Sequence, residues 1–183
     1  MKGIHEVAMG RADRAVGRDG QQDILRRARY LHLGLALDDQ PYVVAIHYGF
    51  EPGARDEDGA FCPEGFTFWL HSAKAGLKLE AMERNPKVFV QVETDVVPMC
   101  WGDRPCSFGA AFESVMGAGV ARLVADEGEK VHGLDLLVRQ QAGEGYEVTG
   151  AMAAGCAVIR VDVPHPTGKR RPLKEHLVPH PRG

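Results

Sequence analysis

The stretch WLHSAKAGLKLEAMERNPKVFV, residues 69–90, decides the fold. Its first residues end the apolar strand FTFWLH, Ser72 is a residue type that caps helices, and Pro86 is one that stops them. Between the two, an apolar stripe recurs at helical spacing, formed by Leu77, Leu79 and Met82. An alternating run that begins at Lys87 is typical of another strand. The stretch therefore predicts a strand, a helix capped by Ser72 and a second strand in direct succession.

A hairpin is predicted immediately before this stretch. In YLHLGLAL, residues 30–37, leucine recurs at every second position, which is typical of a strand with one buried face. Residues 38–41 (DDQP) have turn chemistry, and PYVVAIHYGF, residues 41–50, is rich in the β-branched and aromatic residues that favour strands. A short helix over residues 23–30, capped by Asp23, is expected to lead into the hairpin.

The second half of the chain predicts fewer, longer elements. FESVMGAGVARLVAD, residues 112–126, forms a long strand in which Gly117 and Gly119 permit a bend. A helix over 127–141 and a last strand, CAVIRVDV, follow it. The polar stretch 51–65 is predicted to be a long loop or a flexible hairpin tip, and the stretch 98–110 is predicted to be another loop.

The sequence predicts one mainly β domain over residues 1–183. Six strands and about three helices, joined as antiparallel hairpins, favour a small barrel with short helices at its ends over a doubly wound sheet. Residues 1–20 show no clean period and are predicted to be an extended arm. Residues 166–183 are predicted to be a polar tail.

Composition excludes several classes of function. The 183 residues carry 22 basic and 25 acidic side chains, a net charge of −3, which predicts no nucleic-acid partner and no membrane partner. The cysteines form no C-x-x-C pair, so we expect no metal site. Unpaired cysteines, the lack of a signal-peptide pattern, and the lack of any apolar run near the ~20 residues that span a bilayer predict a cytoplasmic protein.

One anion site is predicted where the third strand runs into its helix. The strand ends at His71, Ser72 opens the helix, and Lys78 follows about a turn and a half later. Backbone N–H groups of a first helical turn, a hydroxyl group and a nearby ammonium group together suit a phosphate monoester.

The order of these motifs resembles the FMN-binding split-barrel superfamily, the pyridoxamine 5′-phosphate oxidase-like proteins. The resemblance rests on His71-Ser72, on Lys78, and on Asn85-Pro86-Lys87-Val88, and it spans about residues 22 to 165. PYVVAIHYGF, residues 41–50, is similar to the P-Y-V-V-P-x-x-F-G-Y phrase of the nitroimidazole-resistance branch. The resemblance implies a six-stranded antiparallel split β-barrel with short flanking helices, acting as a homodimer that holds FMN between its subunits.

The same resemblance implies a role for particular residues. Side chains at the end of the second strand would line the flavin ring, those around the third strand's end would hold the ribityl chain and phosphate, and the partner's long strand would complete the pocket. In that order these residues are Ala45, Ile46 and His47; His71, Ser72 and Lys78; and Ser114 and Val115. No catalytic acid or base is identified.

Two departures from the family pattern argue against true pyridoxamine-phosphate oxidase activity. Leu77 stands where that enzyme has an arginine before the phosphate-binding lysine. The tail VDVPHPTGKRRP also lacks the tryptophan of the segment that closes over the substrate.

Three functions remain open from the sequence. The first is an FMN-dependent oxidoreductase that reduces a small, planar, electron-poor substrate, nitro-group reduction being one version, with His47 or His71 as a proton donor. The second is a haem-handling protein, with His165, His176 and His180 as axial-ligand candidates. The third is a non-catalytic flavin carrier. Trp101 is either a flavin neighbour or an interface anchor.

Overall fold

An antiparallel sheet curls around one apolar core. The computed structural model describes residues 11–104 and 106–177, and within them the sheet has nine strands. They are β1 Ala15–Val16, β2 Tyr30–Leu37, β3 Gln40–His47, β4 Gly49–Arg55, β5 Phe61–Ser72, β6 Lys87–Cys100, β7 Phe108–Leu123, β8 Ala157–Val163 and β9 Thr167–Arg171. The main path runs β3-β2-β6-β7-β8-β5-β4, while β9 pairs with β7 and with β1.

Four α-helices accompany the sheet in the described part of the chain. They are α1 Arg18–Arg27, α2 Leu77–Arg84, α3 Glu127–Ala142 and α4 Gly150–Gly155, with short 3-10 turns at Ala12–Arg14 and Glu175–Leu177. Helix α1 buries Ile24 and Leu25 in the main core. Helix α3 lies outside the sheet, where Leu134 covers Trp69 in a second, smaller cluster.

The alternation in the sequence explains which side of the sheet faces the core. Every second residue of β2, β5, β6 and β8 is buried in one continuous cluster, because side chains along a strand point alternately to the two faces. Its members include Leu31, Leu33, Leu35, Phe66, Phe68, Leu70, Val88, Val90, Val92, Ile159, Val161 and Val163. Residues between them therefore face outward, and the candidate site is built from some of these.

Much of the predicted architecture is confirmed. The protein is a mainly β, antiparallel split barrel with short helices. The hairpin of β2 and β3 turns at Asp38 and Asp39, both with positive φ as its two-residue turn requires. Helix α2 ends at Arg84, just before Pro86, and Asn85 Oδ1 accepts a hydrogen bond from the Lys87 N–H at 3.1 Å as the chain enters β6.

The strand count exceeds the six that were predicted. Residues 51–65, predicted to be a long loop or a flexible hairpin tip, contain most of β4 and the start of β5, which pair as a hairpin with its tip at 56–60. Strands β6 and β7 likewise extend into the predicted loop 98–110, as far as the pairing of Cys100 with Phe108. Backbone hydrogen bonds continue these ladders into segments whose side chains are polar, so the hydropathy pattern underestimates the length of the strands.

Both ends of the described chain contain more regular secondary structure than was predicted. Helix α1 begins at Arg18 rather than Asp23, and Asp23 is not its cap but an ion-pair partner of Arg27. Part of the predicted extended arm is thus a 3-10 turn, β1 and a helix start, while residues 1–10 lie outside the described residues. The predicted polar tail contains β9, where Arg170 pairs with Glu113 of β7; residues 178–183 lie outside the description.

Gly49 tests the contact between β4 and α3. A β-carbon at this position would overlap the backbone of Leu136 and Leu137. Because backbone cannot yield as a side-chain tip can, we expect Gly49→Ala to lower the free energy of unfolding by about 1–3 kcal/mol, measured by chemical denaturation. The control is Gly155→Ala, whose added carbon meets nothing within 4 Å. Equal stability of the two variants would contradict the packing described.

Candidate functional site

The residues predicted to bind phosphate lie where β5 ends. His71 and Ser72 are its last two residues, paired with Val158 and Ala157 of β8. The His71 side chain is exposed, whereas Ser72 is buried. Lys78 is the second residue of α2, after a short connection. The strand-to-helix succession predicted from the sequence is therefore confirmed.

Ser72 does not cap the helix, contrary to the prediction. Its hydroxyl group donates to the Ala73 carbonyl at 2.8 Å, and α2 starts only at Leu77, after Gly76. Gly76 has a φ of 134°, which favours glycine, and its carbonyl accepts the first helical hydrogen bond, from the Leu79 N–H, at 2.9 Å. The free N–H groups of the first turn therefore lie beside Lys78 and not beside Ser72.

Three basic side chains act on one another at this end of the barrel. The pKa of His71 is lowered from its ordinary value, first by the partial burial of its ring and then by the electrostatic effect of the neighbouring His47 and Lys78. We call these three residues the basic cluster. No described carboxylate forms an ion pair with Lys78. The cluster is therefore an electrostatic environment that an anion would stabilise.

His47 is fixed in position and tautomer by a residue that the sequence did not point to. Gln141, near the end of α3, donates from Nε2 to the Tyr48 carbonyl at 2.8 Å, which turns its Oε1 toward His47. That oxygen lies 2.9 Å from His47 Nδ1, so the neutral ring carries its proton on Nδ1 and leaves Nε2 as an acceptor. The Tyr30 ring packs against the imidazole, 4.8 Å between centroids. The 94 positions between His47 and Gln141 explain why no local pattern revealed this pair.

The predicted flavin-lining residues of β3 divide between the two faces of the sheet. Ala45 and His47 lie on the outer face, opposite His32 and Tyr30 of β2. Ile46 packs against the main core instead. Strands β3 and β5 contact each other where the barrel is split, a place that we call the seam. This contact brings His47, at the end of β3, to His71.

Ser114 and Val115 lie elsewhere in the same chain. Val115 is buried in the main core, and Ser114 opposes Glu93 of β6 and Lys169 of β9. On β7, Ser114 lies nine positions from Leu123. Leu123 pairs with Ile159 of β8, which is next to the residue that pairs with His71. One chain therefore does not bring these two residues to its own basic cluster, and their role at a second subunit stays a prediction.

The histidines considered as haem ligands lie in separate segments. His165 lies between β8 and β9, and His176 lies in the 3-10 turn Glu175–Leu177. His180 falls outside the described residues. Within residues 11–104 and 106–177, no three histidine, cysteine or carboxylate side chains are grouped to hold a metal ion. No helix in these two ranges has the length and apolarity needed to cross a membrane.

A comparison with protein-family models matches residues 18–170 to the family described as pyridoxamine 5′-phosphate oxidase. The chain belongs to the pyridoxamine 5′-phosphate oxidase family. The predicted membership of the split-barrel superfamily is thereby confirmed, and the match spans the barrel from α1 to β9. A comparison with curated proteins finds no significant match.

Solved structures of similar proteins agree with this family assignment. A candidate 5-nitroimidazole antibiotic resistance protein of Bacteroides thetaiotaomicron shares 25% identity over 85% of both chains, with a TM-score of 0.66. A flavocytochrome of Azotobacter vinelandii has a TM-score of 0.70 at 18% identity, covering 95% of this chain and 78% of the other. A FAD- and haem-binding protein of Mycobacterium smegmatis has a TM-score of 0.66 at 17% identity, covering 90% and 74%. At these lower identities the last two show the shared fold alone.

The pKa of His71 tests the basic cluster. NMR titration of the histidine rings should place the pKa of His71 below the ordinary 6.5, and Lys78→Gln should raise it by removing a positive charge. Because the unfolded chain binds this proton more readily, His71 makes the fold less stable as the pH drops below about 6.5. Lys130→Gln, at the far end of α3 from Gln141, is the control. An unchanged pKa in Lys78→Gln would show that the cluster is not coupled.

Proposed function

We propose that this protein is an FMN-binding oxidoreductase that reduces a small, planar, electron-poor substrate. The observation that carries the proposal is the basic cluster of His47, His71 and Lys78 at the seam of a family split barrel. Lys78 has no carboxylate partner among the described residues, so a bound anion would stabilise its charge, and a flavin mononucleotide offers a terminal phosphate.

The groups around the cluster fit a phosphate. Lys78 supplies an ammonium group, and His71 supplies a ring nitrogen. The first free N–H groups of α2, at Leu77 and Lys78, point out of the helix N-terminus. A β-carbon added at Gly76 would meet nothing within 4 Å, so open space lies beside the connection between β5 and α2. Donor types and available room thus both support a phosphate monoester at this position.

The chain's own residues would divide the work in a simple way. Lys78 and His71 hold the phosphate, and the negative charge raises the pKa of His71 by offsetting its two cationic neighbours. Ala45 and His47, on the outer face of β3, lie where the ring would rest, with His47 Nε2 open to hydrogen-bond a ligand or, once protonated, to donate a proton. The flavin, when bound, supplies the redox chemistry.

Substrate class is proposed from what the site lacks. Leu77, 47% exposed, replaces the arginine that would add a second strong phosphate contact, and the tail carries no tryptophan to close over a pyridoxamine phosphate. We therefore propose a substrate smaller than that phosphate ester. The likeness to a protein connected with 5-nitroimidazole resistance makes a nitroaromatic compound the first substrate to assay.

A homodimer is part of the proposal. Val43, Gly34, Phe89 and Ala118 stand opposite one another in a row across the outer face of β3, β2, β6 and β7. Val43 is 61% exposed, and the same face holds an apolar groove of about 560 Å³. A second copy that covered this face would bury the groove and bring its own Ser114 toward the flavin.

A charge placed in this groove tests the dimer. Ala118→Arg would bury an unpaired charge in the proposed interface, so we expect it to shift the protein from dimer to monomer in light scattering at micromolar concentration. Ala151→Arg, on the exposed surface of α4, should leave the dimer intact. A wild-type monomer, or a dimer that Ala118→Arg does not weaken, would contradict this interface.

The cofactor is tested by the absorbance spectrum of the purified protein, with the released cofactor identified by mass. We expect flavin bands and the mass of FMN, whereas a Soret band would favour the haem alternative. Lys78→Ala should weaken FMN binding at least tenfold, because it removes a charge-assisted phosphate contact. Lys130→Ala is the matched control and should bind FMN normally.

Two results would overturn parts of the proposal. A colourless protein that does not bind micromolar FMN would exclude a flavin at this site. FMN bound equally well by Lys78→Ala and wild type would place the phosphate elsewhere. Bound FMN without turnover of nitroaromatic compounds or other electron acceptors would identify a flavin carrier instead of an oxidoreductase.

A further inference from the structure

A cavity of about 400 Å³ lies apart from the basic cluster, between the 3-10 turn Ala12–Arg14, the end of β6 and the segment that follows β9. Its volume is within the range of small-molecule sites. The residues that matter for its chemistry are Arg14, Met99, Trp101, Arg171 and Lys174. None of the eight residues predicted to hold the flavin lines this cavity.

The cavity has more positive charge than its own carboxylates neutralise. Arg11 pairs with Asp13 at 2.7 Å, and Arg170 pairs with Glu113. The remaining lining cations, Arg14, Arg171 and Lys174, form no ion pair with any carboxylate in the described residues. A chain whose net charge is −3 thus concentrates three uncompensated cations around one concave surface. Such a surface attracts anions with more than one charge.

An aromatic platform adjoins these cations. Trp101 is 46% exposed, and the guanidinium carbon of Arg171 lies 5.2 Å from the centre of its ring. Stacking holds the guanidinium plane in place while its N–H groups remain available at the edge to bind phosphate oxygens. An exposed indole beside a held arginine is suited to a ligand that combines a flat aromatic ring with phosphate.

The chain holds this arrangement through ordinary secondary structure. Arg171 is the last residue of β9 and pairs with Phe112 of β7. The Lys174 N–H donates to the sulfur of Met99, which is buried beneath the cavity, at 3.4 Å. The backbone N–H of Trp101 donates to the Ser107 carbonyl at 2.8 Å. The backbone of each group is therefore positioned before a ligand arrives, which reduces the entropy lost on binding.

We propose that this cavity is a nucleotide-binding site, in which Arg14, Arg171 and Lys174 hold the phosphate groups and Trp101 contacts the base. The nucleotide is either free or the phosphorylated adenosine half of a dinucleotide. A flat base accounts for the exposed indole, and a di-anionic phosphate accounts for three cations from two separate segments of the chain. The site does not depend on the proposed flavin function.

The test uses the full chain saturated with FMN, so that any flavin site is already filled. ADP is titrated by calorimetry, and the two indole N–H signals are followed by NMR. The chain has only two tryptophans, and Trp69 is buried under α3, so it serves as an internal reference. We expect saturable ADP binding with a shift of the Trp101 signal alone.

Variants decide which groups bind. Arg171→Ala combined with Lys174→Ala should weaken ADP binding at least tenfold, and Trp101→Ala should weaken the binding of ADP more than that of inorganic phosphate. Arg139→Ala, which removes a surface arginine paired with Asp135 on α3, is the matched control and should bind ADP normally. Tighter binding of NADPH than of ADP would identify the dinucleotide source, and equal binding would identify a free nucleotide.

Three results would overturn this inference. The first is no saturable binding of ADP or NADPH up to millimolar concentration. The second is ADP affinity unchanged in the Arg171 and Lys174 double variant. The third is inorganic phosphate binding as tightly as ADP, since the base would then contribute nothing.

Discussion

The curl of the sheet depends on the close approach of β7 to the end of β8. A β-carbon at Gly119 would overlap the carbonyl of Asp162, and one at Gly117 would press into the Val163 side chain. Only glycine permits this approach. It lets β7 pair with β6 on one side while it passes from β9 to β8 on the other. The two wings of the sheet then curl toward each other, and β3 meets β5 at the seam where the basic cluster forms.

The basic cluster at the seam favours the binding of an anion at the expense of the stability of the fold. Burial opposes protonation of His71 most strongly, and His47 and Lys78 add to that effect. Below the ordinary pKa of histidine the lowered pKa reduces the stability of the empty site, and a bound anion would offset this. The Gln141 bridge to His47 works differently, because it fixes one ring and one tautomer without adding charge.

A second concentration of cations depends on pairing at the other end of β7. Asp13 neutralises Arg11 within the N-terminal turn, and Glu113 of β7 neutralises Arg170 and so links β9 to β7. The cations left over at this cavity belong to segments that only the strand pairing of β9 brings together. Within the described residues the basic cluster and this cavity are thus separate sites, and one aromatic platform, Trp101, belongs to the second.

Local signals in the sequence were sufficient to predict the apolar strands, several of the helices and the family. Alternating leucines in 30–37, the breaker Pro86 and the motif residues His71 and Lys78 are local signals, because burial on one face and helix termination depend on near neighbours in the chain. Long-range contacts were needed to show that residues 167–171 of the predicted tail form a strand, that Ser72 is not a cap, and that Gln141 orients His47. Backbone pairing leaves no hydropathy signal in polar segments, and contacts between residues about 90 positions apart leave no periodic one.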